Sequence, residues 1–186
     1  MSEEKKELVK KFKVAPFLNI GTSAEPKWVR IRNTTSFDLS LNPETQDFEY
    51  IADEMPTTEL LRYKPSLSLP ITMYKGDADY ALAFDKFYNL KTGEDAKAEL
   101  LIVFFAEKST ETYTEAEEEK TRNVYKAWKT NSLLSVQSFN SVDSTITVQT
   151  DFCGTLKRGT VRKVDGVITF IEDETDEANN DDALTW

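Results

Sequence analysis

Apolar and polar positions alternate with a period of two along much of this chain. Phe37, Leu39 and Leu41 are separated by Asp38 and Ser40, the pattern of a half-buried strand. Asn42-Pro43 breaks that run. Phe48 and Tyr50 alternate with Asp47 and Glu49 and predict a second strand. Leu67, Leu69, Ile71 and Met73 alternate with Ser68, Pro70 and Thr72. Pro65 and Pro70 cannot donate a ladder hydrogen bond, which places this strand at an edge or gives it a bulge. Leu100 to Ala106 is apolar on both faces and reads as a central strand. Val124–Trp128 and Leu133–Phe139 predict two more strands. Ile146, Val148, Thr150 and Phe152 alternate with Thr145, Thr147, Gln149 and Asp151. Asp165-Gly166 between TVRKV and VITFI is a hairpin signal of the type I′ kind. Phe17 to Lys27, with Gly21 and Pro26, reads as an extended, loop-like segment.

The period changes once. Asp77 follows Gly76 and can cap a helix, and Gly93 can end it. Between them Ala81, Phe84 and Tyr88, flanked by Tyr80 and Phe87, form an apolar stripe at helical spacing that suits packing on a sheet. The expectation is a mainly β chain with about eight strands. Its architecture is a β-sandwich or partly closed barrel with one flanking helix. No internal repeat is present.

Charge refines this outline. The 186 residues suit one domain and carry 33 acids against 23 bases, a net charge of −10. Seven of the acids lie between Glu172 and Trp186, where no base occurs; without that stretch 26 acids face 23 bases, a net of −3. The chain thus divides into a flexible arm (1–16), a β domain (17–171) and an acidic, disordered tail (172–186). Glu107 to Glu119 holds six acids and one lysine and is expected to be a solvated loop or a short acidic helix. The overall balance opposes tight nucleic-acid binding. The longest apolar run, Leu100 to Ala106, is seven residues, too short for a membrane span, so no membrane insertion is expected. The charged N-terminus has no apolar stretch behind it, so a secretory signal is not expected and folding in a cytoplasm is.

Chemistry is sparse. There is no histidine, which removes the usual general base, Ser-His and Cys-His pairs, and the commonest metal ligand. Cys153 is the only cysteine, and its place at the end of an alternating strand suggests a small buried or half-buried residue. Neither phosphate-binding glycine loop occurs. Asp77-Ala78-Asp79 starts like a calcium loop but lacks its glycine and glutamate, so helix capping is the better reading. A carboxylate pair is a catalytic arrangement that needs no histidine, and nothing singles out a pair. The expectation is no enzyme: no catalytic residue, no cofactor and no metal. Trp28, Tyr74, Trp128 and Trp186 are scattered, which favours core or interface packing over a stacking platform for bases or sugars.

The order of segments carries more. FLNIGTSAEPKWVRIRN, SFDLSLNPETQDFEYIADE, YKPSLSLPITMYKGDADYALAFDKFYNLKTG, a strand, and then ITVQTDFCGTLKRGTV follow one another. In this order the chain resembles the major tail proteins, or tail tube proteins, of long non-contractile-tailed bacteriophages, especially those of Gram-positive hosts. The resemblance spans about Phe17 to Phe170. It rests on Trp28, on Asn42-Pro43-Glu44 with Tyr50-Ile51 beyond it, on Lys64-Pro65-Ser66, and on Gly76-Asp77.

The resemblance implies two packed antiparallel sheets with a flanking helix, and a long loop or hairpin that reaches to neighbours. It implies sixfold rings stacked into a hollow tube through which phage DNA passes without specific binding. The implied partners are other copies of the chain, a tail-tip initiator, a tape-measure protein and a tail terminator. The implied location is the virion tail, assembled in the host cytoplasm. Rings need an interface where one patch meets a different one, and exposed strand edges are one natural joint. Residues 43–64 are the expected reaching segment, with Phe48, Tyr50, Ile51 and Met55 as apolar anchors; the alternative is that these four fill the monomer core. Lys5, Lys6, Lys10 and Lys11 of the arm are expected to pair with acids of a neighbour. An acidic or neutral lumen wall would repel the duplex over about 10 Å at 0.1 M salt. Rival readings are a related junction, terminator or injection-machine tube protein, and a carbohydrate-binding β-sandwich.

Overall fold

The computed structural model describes residues 9–49, 51, 55–115, 118–164 and 166–173. Eleven strands form among them: β1 (Val14–Asn19), β2 (Trp28–Arg30), β3 (Asp38–Ser40), β4 (Pro43–Phe48), β5 (Thr57–Tyr63), β6 (Ser66–Thr72), β7 (Lys97–Glu115), β8 (Glu118–Asn140), β9 (Thr145–Phe152), β10 (Lys157–Val164) and β11 (Val167–Glu172). Among the described residues one α-helix forms, α1 (Ala78–Tyr88), and short 3-10 turns cover Lys11–Lys13 and Gly93–Ala96. The chain is mainly β, with a large antiparallel sheet, a second small sheet and one helix, a β-sandwich-like fold.

The large sheet runs β2-β1-β7-β8-β9-β6-β3, with β10 and β11 branching from β8. Its two ends are joined by a single stretch of chain. β2 pairs with β1, and just beyond it the Ile31 N–H donates to the Pro16 carbonyl at 3.0 Å. A few residues later the same stretch reaches β6: Thr72 N–H donates to Asn33 O at 2.7 Å, Thr35 N–H to Pro70 O at 3.3 Å, and Thr34 bridges Ile71. Residues 28–35 therefore partly close a barrel. Inside lie Leu18, Leu67, Leu69, Ile71, Leu100, Ile102, Ile146 and Val148, all essentially without solvent contact. Each such side chain contributes roughly 1.5–3 kcal/mol on burial.

At β8 the sheet divides. Tyr125–Lys129 pair with β10, whereas Ser132–Asn140 pair with β9. The β10–β11 hairpin lies on the outer face, where Val161, Ile168 and Phe170 pack with Ala15, Phe17, Leu101, Val103 and Ala127. Gly159 makes this possible, because a Cβ there would collide with the Ile171 carbonyl and approach Phe170 Cζ to 2.8 Å. At the hairpin end Val164 pairs with Val167, and Gly166 stands at φ +85°.

Several expectations need correction. Phe17–Asn19 is not loop-like: it is the buried end of β1, and Val14–Pro16, assigned to the arm, begin that strand. Both faces of β1 are covered, so it shows no alternation. Glu107–Glu119 is neither a loop nor a helix where described; it forms the solvated arms of a β7–β8 hairpin, paired as far as Glu115↔Glu118. Val124–Trp128 and Leu133–Phe139 belong to one strand. β6 is not an edge strand, since it pairs with β9 and β3. The missing donor of Pro70 faces the 33–35 side, where the ladder is discontinuous. Cys153 is exposed.

α1 has a different buried face from the one expected. Ala83 and Asp79 point inward with Tyr80, Leu82 and Phe87, while Ala81 and Tyr88 are exposed. Asp77 makes no side-chain capping bond; its carboxylate accepts from Asn33 Nδ2 at 2.7 Å. Gly93 does not end the helix. Asn89 is the C-cap, Leu90 follows at φ +46°, Leu90 N–H donates to Phe87 O, and Lys91 N–H donates to Lys86 O. That is a Schellman ending with leucine at the position glycine usually takes. A left-handed leucine costs about 1 kcal/mol or more.

Candidate self-assembly surface

β4 and β5 form a two-stranded ribbon apart from the large sheet, paired from Pro43↔Tyr63 to Phe48↔Thr57. Its root is built by Asn42, held at φ +44°. The Asn42 amide donates to Lys64 O and Ser66 Oγ, both at 3.0 Å, and Lys64 N–H returns to Leu41 O at 3.0 Å. Glu44 then pairs with Arg62 at 2.5 Å and Lys64 at 3.1 Å. A register shift between Glu44 and Thr45 bends the ribbon beyond the root.

The ribbon turns no face to the core. Every residue of β5 is exposed, including Leu60, Leu61 and Tyr63. Ile51 is fully exposed and Met55 is 78% exposed, which overturns the reading that these two fill the monomer core. Phe48 is half-buried. Tyr50 lies outside the described residues. An isolated two-stranded hairpin is at best marginally stable in water, and so many outward apolar side chains are the composition of an interface core.

Hydrogen bonds from Arg62 and Lys64 hold the Glu44 carboxyl below the ordinary glutamate range. Its folded value lies below its unfolded one, so the stabilisation is present above the unfolded value and is lost as pH falls through the folded one. Acidifying from pH 7 to about pH 3, below ordinary carboxylate values, is expected to lower amide protection factors in 43–48 and 57–63. Glu44→Gln is expected to flatten that dependence; an unchanged profile in the variant would show that other groups cause it.

Of the arm lysines, Lys5 and Lys6 lie outside the described residues. Lys10 is exposed and Lys11 opens the 3-10 turn, in which Lys13 N–H donates to Lys10 O at 2.8 Å. The Lys10 and Lys13 ammonium groups stand 6.0 and 5.8 Å from the ring centre of Phe12, itself exposed. The structure thus places Lys10 and Lys13 beside an outward aromatic.

A second apolar surface went unread in the sequence. Phe84 sits 5.8 Å from Tyr88 in a stacked pair on the outer side of α1, and Leu90 stands beyond the helix end, 78% exposed. The signal available was three aromatic or aliphatic residues, Phe84, Tyr88 and Leu90, in excess of what one buried face needs. The same holds for Leu60-Leu61, which breaks alternation in β5. Unpaired backbone edges are also on offer: among the described residues β2, β3 and β11 each pair with one neighbour only.

No group of three or more Cys, Asp or Glu side chains among the described residues is placed to hold a metal. Trp128 meets Phe104 edge-on at 5.3 Å and packs against the barrel core, and Trp28 packs on the outer face; Tyr74 is exposed, and Trp186 lies outside the described residues. Arg122 and Arg162 reach Glu111 at 2.8 and 3.6 Å and brace the β7–β8 hairpin against β10.

No family model matches the chain, and no curated protein does. Among solved structures, it is similar to a chain of the virion of a native gene transfer agent particle, with 13% identity, 80% of this chain and 97% of that one covered, and a TM-score of 0.48. It is also similar to the tube-terminating cap of the anti-feeding prophage, with 13% identity, 86% and 96% covered, and a TM-score of 0.49. A third likeness is to the tail of an empty gene transfer agent particle, with 12% identity, 79% and 96% covered, and a TM-score of 0.47.

Proposed function

We propose that this chain is a structural, non-catalytic subunit of a phage-type tail. Copies of it associate into sixfold rings, and the rings stack into a hollow tube that conducts DNA. Its partners are further copies, a tail-tip initiator, a tape-measure protein and a terminator. Its place is the virion tail, after assembly in the host cytoplasm. What supports it is the ordered set of sequence segments that resembles tail tube proteins. The single structural observation carrying it is the β4–β5 ribbon, which leaves the barrel with its apolar side chains outward.

Negative-stain microscopy of concentrated protein tests this. Hollow tubes of uniform width are the expected result. Closed rings that never stack would point to a terminator or cap, and persistent monomers retained on a glycan column would replace the proposal with a carbohydrate-binding module. Ile51→Asp and Met55→Asp should each leave folding stability within about 0.5 kcal/mol, because neither side chain is buried. Each should raise the concentration at which assemblies appear by about 10- to 100-fold, the equivalent of burying one apolar side chain. Unfolded variants, or variants that assemble like the parent, would remove the ribbon from the interface.

A further inference from the structure

A ribbon that reaches outward needs a receiving surface, and α1 and β8 provide one. Between the last turn of α1 and the Leu133–Phe139 stretch of β8 runs a groove of about 580 Å³. Phe87 and Phe139 stack in it at 4.7 Å and 11°, Leu134 lies at its base, and Leu90 stands on its rim. A register shift between Val136 and Ser138 in the β8–β9 ladder distorts β8 at this point. The charged residues lining it are Lys86 and Lys91, with no carboxylate among the lining residues. Lys86 Nζ donates to the Asp95 carbonyl, which fixes that ammonium at the rim.

The ribbon is the complement. Beyond the root, where Glu44 is paired with Arg62 and Lys64, residues 45–61 carry Asp47, Glu49, Asp53, Glu54 and Glu59 and no base, around the outward Ile51 and Met55. The two patches are built from different elements, the ribbon from β4 and β5 and the groove from α1 and β8. β3 runs antiparallel to β6 and leaves the sheet past Ser66, where the ribbon begins. The groove runs along β8 from Leu133, which meets Ser66 through Asp151, to Phe139, which meets Ile71 through Ile146, five residues further along β6. That separation is about 17 Å at the rise of an antiparallel strand. Ribbon and groove are therefore distinct surfaces that share no residue, as a head-to-tail joint requires.

We infer that the α1–β8 groove receives the Ile51–Met55 end of the β4–β5 ribbon from a second copy of this chain, apolar side chains seated on Phe87, Leu90 and Phe139 and acids facing Lys86 and Lys91. This seat rests on the reading of the chain as a self-assembling subunit and names the contact through which it assembles. Leu90 supports it independently. A bulky apolar residue in a left-handed helix ending, turned to solvent, has no role in the isolated chain that glycine would not fill better.

Two experiments separate the possibilities. With Cys153→Ser as background, a Met55→Cys chain is mixed with a Leu90→Cys chain under oxidising conditions. Mixed disulfide dimers are expected at least tenfold above the covalent dimers of either chain alone. A chain carrying both cysteines that instead closes on itself when dilute would overturn the second-copy seat. In the second experiment Leu90→Gly is expected to melt at the same or a higher temperature than the parent, yet to need at least tenfold more protein to assemble. Normal assembly by Leu90→Gly, or assemblies without the mixed disulfide, would overturn the groove and leave the self-assembly reading standing. A parent protein that stays monomeric at every concentration would overturn both.

Discussion

Asp79→Ala is expected to lower stability in urea unfolding by about 3–5 kcal/mol, among the largest effects of any single substitution in this chain. Asp79 is 3% exposed and sits in the first turn of α1. Its Oδ2 accepts the Arg32 and Asn33 backbone N–H groups at 3.1 Å each, and its Oδ1 accepts from Asn33 Nδ2 at 3.3 Å and Tyr80 N–H at 2.9 Å. Alanine would leave these donors unpaired in a confined site, at about 1–3 kcal/mol for each one kept from water. The segment it holds is also the one that closes the barrel, so the loss extends beyond the helix. Asp79→Asn keeps one strong acceptor and should cost about half as much. A loss below about 1 kcal/mol for the alanine variant would show that water or a local shift replaces the carboxylate.

Gly159→Val should release the β10–β11 hairpin from the outer face. The obstacle at Gly159 is the Ile171 backbone carbonyl together with the Phe170 ring, and a paired strand cannot rotate its carbonyl aside. Overpacking of this kind costs about 1–3 kcal/mol and more where backbone must move, so about 3 kcal/mol is expected. It should appear as loss of amide protection in 159–172 ahead of global unfolding. The barrel interior should persist, because Leu69, Ile71, Leu100 and Ile146 belong to the opposite face. Unchanged protection in the hairpin would mean that the strands separate without strain.

The strands that were readable are those with one buried face. In β6 the buried residues are Leu67, Leu69 and Ile71, and in β9 they are Ile146, Val148 and Thr150, so polarity tracks the pleat. β1 was misread because Phe17 faces one cluster and Leu18 the other, which erases alternation. The outer β7–β8 hairpin was misread for the opposite reason: neither face is buried, so its acids look like a loop. Its residues Thr110, Thr112, Tyr113 and Thr114 are strand formers and were the available signal. The helix was readable, but its rotation was not, because a carboxylate and an alanine occupy the inward positions. Hydrophobicity cannot reveal an aspartate whose partners are backbone N–H groups 46 and 47 residues away.

The candidate surface divides in the same way. That residues 43–64 reach out is what the resemblance implies, and of its four expected anchors Ile51 and Met55 are exposed. That Leu60, Leu61, Tyr88 and Leu90 also face outward was not legible, since an apolar side chain gives no local sign of whether a partner covers it.

By itself the sequence determined the strand-rich character of the chain, the helix after Asp77, the lack of histidine chemistry and the concentration of acids from Glu172 onward. These are properties of near neighbours along the chain or of composition. The tertiary structure alone decided that residues 28–35 join both ends of the sheet, that β8 is shared between β9 and β10, and that β4 and β5 stand apart. Each of these depends on which distant segment supplies the second half of a hydrogen-bonded ladder. A period of two specifies that a strand has an inside, and only pairing specifies whose inside it is.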